Sequence, residues 1–334
     1  MSANGSKPLV EVEGLVVRYP VPRGIVGTVA RRPRKTVHAV DGVSFSLRPG
    51  EILALVGESG CGKTTTAQTL LRLVEPEGGV IRFEGRDITG LSTRELRPLR
   101  RRMQLIYQDP YESLDPRLRV RQTVGEPLLV HRVGSRAERT ARIRDALERV
   151  ELTPAELFLD RYPHELSGGQ RQRVAIAASL VLEPRLLVAD EPVSMLDVSV
   201  RAGILRLLDG LRDGGLGILM ITHDLSTAAR FSDRIAVMYL GRIVEEGPAQ
   251  EVVRNPQHPY TRALLSVVPK RDPRDRARPQ ILGGEPPDAV RIPSGCRFHP
   301  RCPIAIADCR GTDPPLERPS GATGDGHVAA CLLA

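Results

Sequence analysis

The sequence predicts an α/β fold, because short apolar segments alternate with segments of helical periodicity along most of the chain. Ile52–Val56 is an apolar run that leads directly into a glycine-rich loop, and residues 64–73 then carry apolar side chains at helical spacing. Residues 186–189 are wholly apolar, which is typical of a central parallel strand covered on both faces. Together these features indicate a parallel or mixed sheet with helices packed on it.

The remaining elements follow from local patterns. Strands are predicted at residues 9–18, 37–47 and 217–221, and a hairpin at 235–239 and 242–245 around Leu240-Gly241. Residues 20–36, rich in Gly, Pro and Arg, are predicted to form an exposed loop. Residues 109–183 are mostly helical in pattern, with an amphipathic helix at 136–150 and another at 170–182.

Composition limits the classes of protein to which the chain can belong. Its 334 residues allow one large domain with an extension, or two domains. No run of eighteen apolar residues is present, and residues 1–8 lack a hydrophobic signal region, so we expect a cytoplasmic protein that is at most peripheral to a membrane. The net charge of +8 is spread along the chain and comes almost entirely from arginine, so we expect a solvated surface and no nucleic-acid partner.

The loop after the first apolar strand has the G-x-x-x-x-G-K-[ST] pattern of a phosphate-binding loop. Its main-chain N–H groups and the following helix N-terminus suit a bound anion. Lys63 supplies a compact positive charge to the β- and γ-phosphates, and the Thr64 hydroxyl can ligate Mg²⁺. Cys61 is expected to contribute only its backbone. The nucleotide-binding residues predicted here are Gly57, Ser59, Gly60, Cys61, Gly62, Lys63, Thr64 and Thr65.

An acidic pair follows the apolar run 186–189. Asp190 ends that strand, at the sheet edge where α/β proteins bind ligands, and is predicted to face the metal. Glu191 comes next and is the predicted general base that polarises the attacking water. An isolated Asp-Glu pair is more often a charged turn, but the apolar run before it argues against that interpretation.

Leu166-Ser167-Gly168-Gly169-Gln170 precedes the second amphipathic helix, which places a serine and two glycine amides at a helix N-terminus. With this run between the phosphate loop and the acidic pair, the chain resembles the nucleotide-binding subunits of ABC transporters. The resemblance implies a P-loop ATPase core with a mixed sheet, a β-subdomain and a helical insertion at about 109–183. It also implies ATP and Mg²⁺ as ligands.

The same resemblance assigns further roles. Gln108 matches the glutamine that contacts Mg²⁺ and the water, His223 the histidine at the γ-phosphate, and Tyr19 the aromatic that stacks on adenine. Two subunits are implied to pack head to tail, so that Ser167, Gly168, Gly169 and Gln170 of one clamp the nucleotide of the other. Asp197 lies in the implied dimer loop, where Met195 replaces a usually smaller residue.

The composition changes near Asn255, and thirteen of the 28 prolines lie beyond it. We therefore predict two domains, 1–254 and 255–334. Residues 255–265 and 295–303 resemble the C-terminal extension of oligopeptide/dipeptide-type importer ATPases, expected here as a small irregular module.

Four cysteines in this region follow a C-x5-C-x6-C-x21-C spacing: Cys296, Cys302, Cys309 and Cys331. A cytoplasmic compartment disfavours disulfides between them. A [4Fe–4S] cluster, as in relatives, is expected; zinc and free thiols remain alternatives.

The resemblance implies an ATPase subunit that energises di- or oligopeptide import from the cytoplasmic face of the membrane. Its implied partners are two transmembrane permease subunits, a second identical or paralogous ATPase, and an extracytoplasmic substrate-binding protein. The permease-facing surface is expected near residues 108–118. Nickel or another solute is an alternative cargo. Two alternative functions are a soluble ABC ATPase of translation or DNA repair, and a non-transport binding or regulatory module whose tail is a redox sensor. The first is expected to carry two ATPase cassettes or a long coiled-coil insertion, and neither is present in this sequence.

Overall fold

The computed structural model describes residues 7–21, 35–109, 113–267, 283, 287–319 and 326–334. The predicted loop 20–36 and the predicted permease-facing stretch 108–118 lie partly outside these residues. In chain order the described strands are β1 (Val10–Pro20), β2 (Thr36–Leu47), β3 (Ile52–Val56), β4 (Gly78–Phe83), β5 (Arg86–Asp87), β6 (Met103–Ile106), β7 (Leu186–Asp190), β8 (Gly217–Thr222), β9 (Arg234–Tyr239), β10 (Arg242–Pro248) and β11 (Val328–Ala329).

The described α-helices follow the same order along the chain. They are α1 (Lys63–Leu70), α2 (Thr93–Arg100), α3 (Val120–Val130), α4 (Arg136–Arg149), α5 (Glu156–Leu159), α6 (Gly168–Leu180), α7 (Val198–Asp213), α8 (Leu225–Phe231), α9 (Ala249–Arg254) and α10 (Pro259–Ser266). The chain divides into two compact units. The first contains Met1–Leu9, Leu47–Ile52 and Gly90–Ile221, and the second contains Val10–Ser46, Leu53–Thr89 and Thr222–Ala334.

The first unit contains three parallel strands in the order β6, β7, β8. The apolar residues of β7 are completely buried, which confirms the prediction of a central strand from its unbroken apolar run. Ile106 pairs with Ala189, and Asp190 pairs with Ile221. The carboxyl ends of β6 and β7 are therefore level with each other.

The helices of this unit form their own apolar core. α3, α4 and α6 pack against one another, and α6 also packs against β6 and α7. Val124, Leu128, Leu147 and Ile176 are completely buried among them. The amphipathic pattern at 136–150 is confirmed as α4, which begins with a capping box between Ser135 and Glu138.

The second unit contains two sheets. One has the strand order β2-β1-β4-β5, with β4 antiparallel to both β1 and β5. The other places β3 parallel to β9, β9 antiparallel to β10, and β10 antiparallel to β11. The predicted hairpin is thus confirmed as β9 and β10. The mixed strand directions and the flanking helices make the fold an α/β fold with a mixed sheet.

The C-terminal residues of the second unit join this sheet through β11. The Ala330 N–H donates to the carbonyl oxygen of Val244, and Glu317 forms a further bridge with Ala329. An aromatic cluster lies beside β9, in which Tyr239 is packed by the rings of Tyr260 and Phe298 at centroid distances of 4.7 and 5.3 Å. Apart from these contacts and two short helices, residues 255–334 are irregular where described. The domain boundary at residue 254 stays a prediction.

Among the described residues, no helix has the length and apolar character that crossing a bilayer requires.

Candidate functional site

The glycine-rich loop lies in the second unit, between the end of β3 and the start of α1. Two of its glycines are required by close backbone contacts. A Cβ on Gly57 would lie 2.2 Å from the carbonyl oxygen of Met238, and a Cβ on Gly62 would lie 2.1 Å from that of Ala39. Gly62 also has φ of +108°, which only glycine adopts at little cost. The loop is therefore tightly curved against two neighbouring strands.

Lys63 is buried beneath this loop, although lysine side chains are almost always exposed. Its Nζ donates to the carbonyl oxygens of Gly57 at 2.7 Å and Glu58 at 2.8 Å. These two bonds hold the Lys63 Nζ against the backbone of the loop. Ser59 and Gly60, at the tip, are exposed.

Cys61 does more than supply a backbone amide. Its side chain is buried, its Sγ lies 3.6 Å from Lys63 Nζ, and burial raises the pKa of the thiol. Its carbonyl oxygen accepts from the N–H of Gly241 at 2.9 Å, which links the loop to the β9–β10 turn. The residue at this position therefore also contributes to packing.

The first turn of α1 carries the two predicted threonines. Thr64 is exposed and Thr65 is half-buried, while the Thr66 N–H donates to the carbonyl oxygen of Gly62 at 2.9 Å. This bond continues the helix directly from the loop, so the N-terminal N–H groups of α1 follow the loop without a break.

The acidic pair and Gln108 lie in the first unit. Because Ile106 is paired with Ala189, the chain positions two residues beyond each, Gln108 and Glu191, leave their strands side by side. Gln108 Nε2 donates to Glu191 Oε2 at 2.9 Å. Asp190 is the last residue of β7, as predicted.

Glu191 has an unusual backbone conformation for a residue with a side chain. Its φ is +44°, and its N–H donates to the carbonyl oxygen of Ile221 at 3.0 Å. Its own carbonyl oxygen accepts from Ser194 N and Oγ. A strained residue of this kind persists only where surrounding bonds hold it in place, and such residues cluster at functional sites.

The Leu-Ser-Gly-Gly-Gln run forms the start of α6, also in the first unit. Ser167 is the N-cap: its Oγ accepts from Gln170 N at 3.3 Å, and Gln170 Oε1 accepts from Ser167 N at 3.0 Å. A Cβ on Gly169 would lie 2.4 Å from a methyl group of Val200 in α7. Gly168 precedes it in the same turn. The prediction of a helix N-terminus at this run is confirmed.

Asp197 has a local function that sequence reasoning missed. It is the N-cap of α7, accepting from Val200 N at 3.0 Å, and the hydroxyl of Ser199 lowers the pKa of the carboxyl. An Asp directly before a helical segment is the signal that could have indicated this cap. Met195, two residues earlier, is exposed.

Tyr19 and His223 belong to the second unit. Tyr19 lies near the end of β1 with its ring partly exposed, and His223 is an exposed residue directly after β8. The next residue, Asp224, caps α8 by accepting from Ser226 N at 2.9 Å. His223 is therefore located between the end of a strand and the start of a helix.

The four C-terminal cysteines also lie in the second unit, where Cys296 N donates to the carbonyl oxygen of Cys309 at 2.9 Å. Burial raises the pKa of the Cys296 thiol, and the neighbouring thiols of Cys309 and Cys331 raise it further. Cys302 is shifted in the same direction, mainly by burial. Within the part of the chain that the structure describes, no three His, Cys, Asp or Glu side chains are arranged to hold a metal.

Sequence reasoning also missed the neighbours of Glu58, the second residue of the glycine-rich loop. Glu58 N donates to Tyr260 Oη at 2.9 Å, and its carboxylate pairs with Arg301 at 2.9 and 3.2 Å. These partners are about 200 and 240 positions away in the chain, so no local pattern could indicate them.

Comparison with known proteins assigns this arrangement to a family. Residues 40–194 match the sequence profile described as ABC transporter, and residues 244–309 match the oligopeptide/dipeptide transporter C-terminal region. A putative peptide import ATP-binding protein of Brucella ovis is 47% identical over 326 residues, covering 97% of this chain and 98% of the relative. A glutathione import ATP-binding protein of Pectobacterium atrosepticum is 49% identical over 316 residues, covering 90% of this chain and 50% of that longer relative.

Solved structures agree with the sequence comparison. A dimeric ATP-binding cassette bound to ADP and Pi superimposes with a TM-score of 0.62 at 29% identity, over 72% of this chain and 99% of that one. A component of an ABC transporter complex from Clostridium perfringens gives a TM-score of 0.63 at 30% identity, over 75% and 92%. The chain therefore belongs to the ABC transporter family of ATPases and carries the C-terminal region of its oligopeptide/dipeptide branch.

Proposed function

We propose that the chain is the ATP-hydrolysing subunit that energises import of di- or oligopeptides through a membrane ABC transporter. The observation that carries the proposal is the combination of a tightly curved phosphate loop around a buried lysine with the peptide-importer C-terminal region in one chain. Peptide import is also the activity named for full-length relatives. Nickel or another solute stays the alternative cargo.

The loop residues fit a bound polyphosphate. The glycines at positions 57 and 62 leave no room for a side chain, which keeps the loop closely wound. Successive main-chain N–H groups of such a loop are suited to phosphate oxygens. Lys63 supplies positive charge to the β- and γ-phosphates, and Tyr19 offers a ring for stacking on adenine. The remaining proposed nucleotide contacts come from the main-chain N–H groups of Ser59, Gly60 and Cys61, and from Thr65 in the first turn of α1.

The oxygen donors suit Mg²⁺, which prefers hydroxyl, carboxylate and amide oxygens. Thr64, Gln108 and Asp190 are the residues proposed to hold it. When bound, the ion neutralises part of the charge on the transferred phosphoryl group.

Hydrolysis is proposed to use Glu191 as the base for the attacking water. The hydrogen bond from Gln108 holds one carboxylate oxygen, and the backbone bonds of Glu191 fix its direction. The water attacks the γ-phosphorus in line with the leaving β–γ bridging oxygen, its proton passes to the Glu191 carboxylate, and ADP and phosphate are the products. His223 is proposed to contact the γ-phosphate.

The second half of each site is proposed to come from another ATPase subunit, identical or paralogous. The start of α6 presents the N–H groups of Gly168 and Gly169, with Ser167 and Gln170 beside them, and a helix N-terminus of this kind attracts phosphate. The solved ATP-binding cassette compared above is dimeric, which supports the presence of two ATPase subunits. Asp197 and Met195 would lie at the dimer contact.

The remaining partners are two transmembrane permease subunits and an extracytoplasmic substrate-binding protein, with this chain peripheral on the cytoplasmic face. No nucleic-acid partner is proposed. A soluble ABC ATPase of translation or DNA repair is disfavoured, because the matched C-terminal region is described for oligopeptide and dipeptide transporters.

We further propose that the C-terminal region holds a [4Fe–4S] cluster, with zinc as the alternative. The proposed ligands are Cys296, Cys302, Cys309 and Cys331. Thiolate donors suit both groups, but the described arrangement of the thiols does not itself form a metal site. Anaerobic purification followed by iron, sulfide and zinc analysis decides between them. Iron with acid-labile sulfide supports the cluster, stoichiometric zinc supports the alternative, and a metal-free protein excludes both.

The proposed function is tested by purifying the chain from detergent-solubilised membranes of its host and identifying what accompanies it. Two multi-span permeases with a second ATPase support an importer, and peptides bound to the associated binding protein identify the cargo. Recovery only with ribosomes or DNA contradicts the transport function while leaving the ATPase fold intact.

Glu191→Gln tests the catalytic assignment. Loss of the base is expected to lower kcat for ATP hydrolysis by at least about 100-fold while ATP binding is kept, and to trap a closed dimer detectable by size-exclusion chromatography with ATP. Glu148→Gln, on the exposed face of α4, is the matched control and should hydrolyse ATP normally. Normal turnover by Glu191→Gln contradicts the assignment.

A further inference from the structure

Glu58, inside the phosphate loop, is held at three points. Its N–H donates to Tyr260 Oη at 2.9 Å, and its carbonyl oxygen accepts from Lys63 Nζ at 2.8 Å. Its carboxylate accepts from both terminal nitrogens of Arg301, at 2.9 and 3.2 Å. Backbone donor, backbone acceptor and side chain of one loop residue are thus all engaged.

Two of these three contacts come from the C-terminal region. Tyr260 belongs to α10, and Arg301 lies between Cys296 and Cys302 in the irregular segment. The oligopeptide/dipeptide profile covers both residues, whereas the ABC transporter profile ends at residue 194. The phosphate loop is therefore contacted by the part of the chain that distinguishes this branch of the family.

The contacting residues are themselves rigidly placed. Tyr260 is completely buried, and its ring packs on Tyr239 at 4.7 Å and on Phe298 at 5.4 Å. The Arg301 guanidinium lies 6.0 Å from the centre of the Tyr239 ring, and Arg301 N donates to the carbonyl oxygen of Phe298. The Arg301 side chain is only 7% exposed. A preorganised guanidinium loses little side-chain entropy on pairing, so this ion pair is worth more than one between two exposed side chains.

The electrostatic consequence concerns ATP. Glu58 places a carboxylate in a loop that binds a polyanion, and such a charge repels the phosphates unless a cation neutralises it. Arg301 supplies that cation in a two-bond fork, the strongest geometry for a carboxylate. Tyr260 fixes the peptide group before Glu58, while the Glu58 carbonyl oxygen holds Lys63.

We propose that Arg301 and Tyr260 are positioning residues for ATP binding, which act through Glu58 to neutralise and shape the phosphate loop. The inference rests on the ATP site proposed above. It makes the C-terminal region part of the nucleotide-binding apparatus, in addition to any cofactor that its cysteines hold. Displacement of this region would weaken ATP binding without any change in the loop sequence.

The test measures the dissociation constant of Mg²⁺ with a non-hydrolysable ATP analogue, by calorimetry on the full chain. Arg301→Gln is expected to weaken binding roughly tenfold, the effect of one uncompensated charge about 10 Å from another at an effective dielectric constant near 20. Arg301→Lys keeps the charge but loses the fork, so it should weaken binding less. Tyr260→Phe keeps the ring and removes only the acceptor, and about fivefold weaker binding is expected.

Coupling to Glu58 separates positioning from general stability. In a Glu58→Gln background the carboxylate is absent, so Arg301→Gln should change the dissociation constant less than about twofold. Arg297→Gln is the matched control, because the buried Arg297 of the same segment pairs with Asp41 and with the carbonyl oxygen of Leu240, not with the loop. In steady-state assays Arg301→Gln should raise KM for ATP and leave kcat within about twofold.

The outcomes are distinguishable. Unchanged binding by a folded Arg301→Gln chain, equal weakening by Arg297→Gln, or an undiminished effect in the Glu58→Gln background overturns the inference. If Arg301→Gln does not fold, the dissociation constants of the Arg301→Lys and Tyr260→Phe chains test the inference by the same criteria. If the wild-type chain and Lys63→Ala bind the analogue equally, the proposed ATP site itself has failed, independently of Arg301.

Discussion

Replacing Glu245 with alanine is expected to detach the start of the C-terminal region from the core. Glu245 is in β10 and is completely buried. Its carboxylate accepts from Gln257 N at 2.7 Å, from His258 N at 2.9 Å and from His327 Nε2 at 2.8 Å. One side chain thus joins the segment before α10 and the segment before β11 to the same strand.

The magnitude follows from these three donors. Alanine removes both carboxylate oxygens and leaves two main-chain N–H groups and one buried imidazole without an acceptor. Each buried orphan costs about 1–3 kcal/mol, so the free energy of unfolding should fall by about 4 kcal/mol after partial relaxation. Glu245→Gln keeps one acceptor oxygen, and about half of that loss is expected.

Urea unfolding followed by circular dichroism measures both variants. Glu148→Ala, on the exposed surface of α4, is the control and should stay within about 0.5 kcal/mol of wild type. A loss below about 1 kcal/mol for Glu245→Ala would refute the reasoning, because it would mean that the buried donors find other acceptors. Glu245→Ala should also weaken ATP binding, since α10 carries the tyrosine that contacts the phosphate loop.

The remaining predictions concern pH and the loop. Burial lowers the pKa of His258 to about 4 from an ordinary 6.5, and the neutral ring accepts from Tyr260 N. The unfolded chain therefore takes up more protons than the folded chain as pH falls from 6.5 towards 4, and stability should drop by about 2 kcal/mol between pH 7 and pH 5 in urea titrations. His258→Gln should flatten this dependence; an unchanged slope contradicts it. Gly62→Ala should abolish nucleotide binding in the calorimetric assay, because its Cβ would overlap the Ala39 carbonyl oxygen, whereas Gly85→Ala in an open turn should bind normally.

Much of the fold could be predicted because its signals are local. The boundaries of β3 match the apolar run in the sequence, and α1, α4 and α6 begin within two residues of their predicted starts. Unbroken apolar runs and helical periodicity fix such elements almost regardless of their surroundings. The short strands β4, β5, β6 and β11 and the helices α2, α7, α8, α9 and α10 were not predicted. β5 has only two residues, too few for any periodicity, and the glycines of β4 obscure its alternation.

Part of the candidate site could likewise be predicted from local motifs, and part could not. The motifs indicated the phosphate loop, the acidic pair and the start of α6. The pairing of β6 with β7 explains why Gln108 contacts Glu191. The contacts of Glu58 could not be predicted, because each depends on residues brought together only by the tertiary fold. The same holds for the end of the chain, where β11 gains its partner from a strand about 80 positions earlier.

The central claim is that ATP hydrolysis by this chain drives peptide uptake, and reconstitution tests it most directly. The chain is placed in proteoliposomes with the proposed permeases, the proposed second ATPase, the proposed binding protein and a radiolabelled peptide. Peptide uptake and phosphate release are then measured together. We expect ATP-dependent accumulation of peptide that the binding protein stimulates and that Lys63→Ala abolishes along with hydrolysis. Phosphate release that is unaffected by permeases, binding protein and peptide would contradict a role of this chain in peptide uptake.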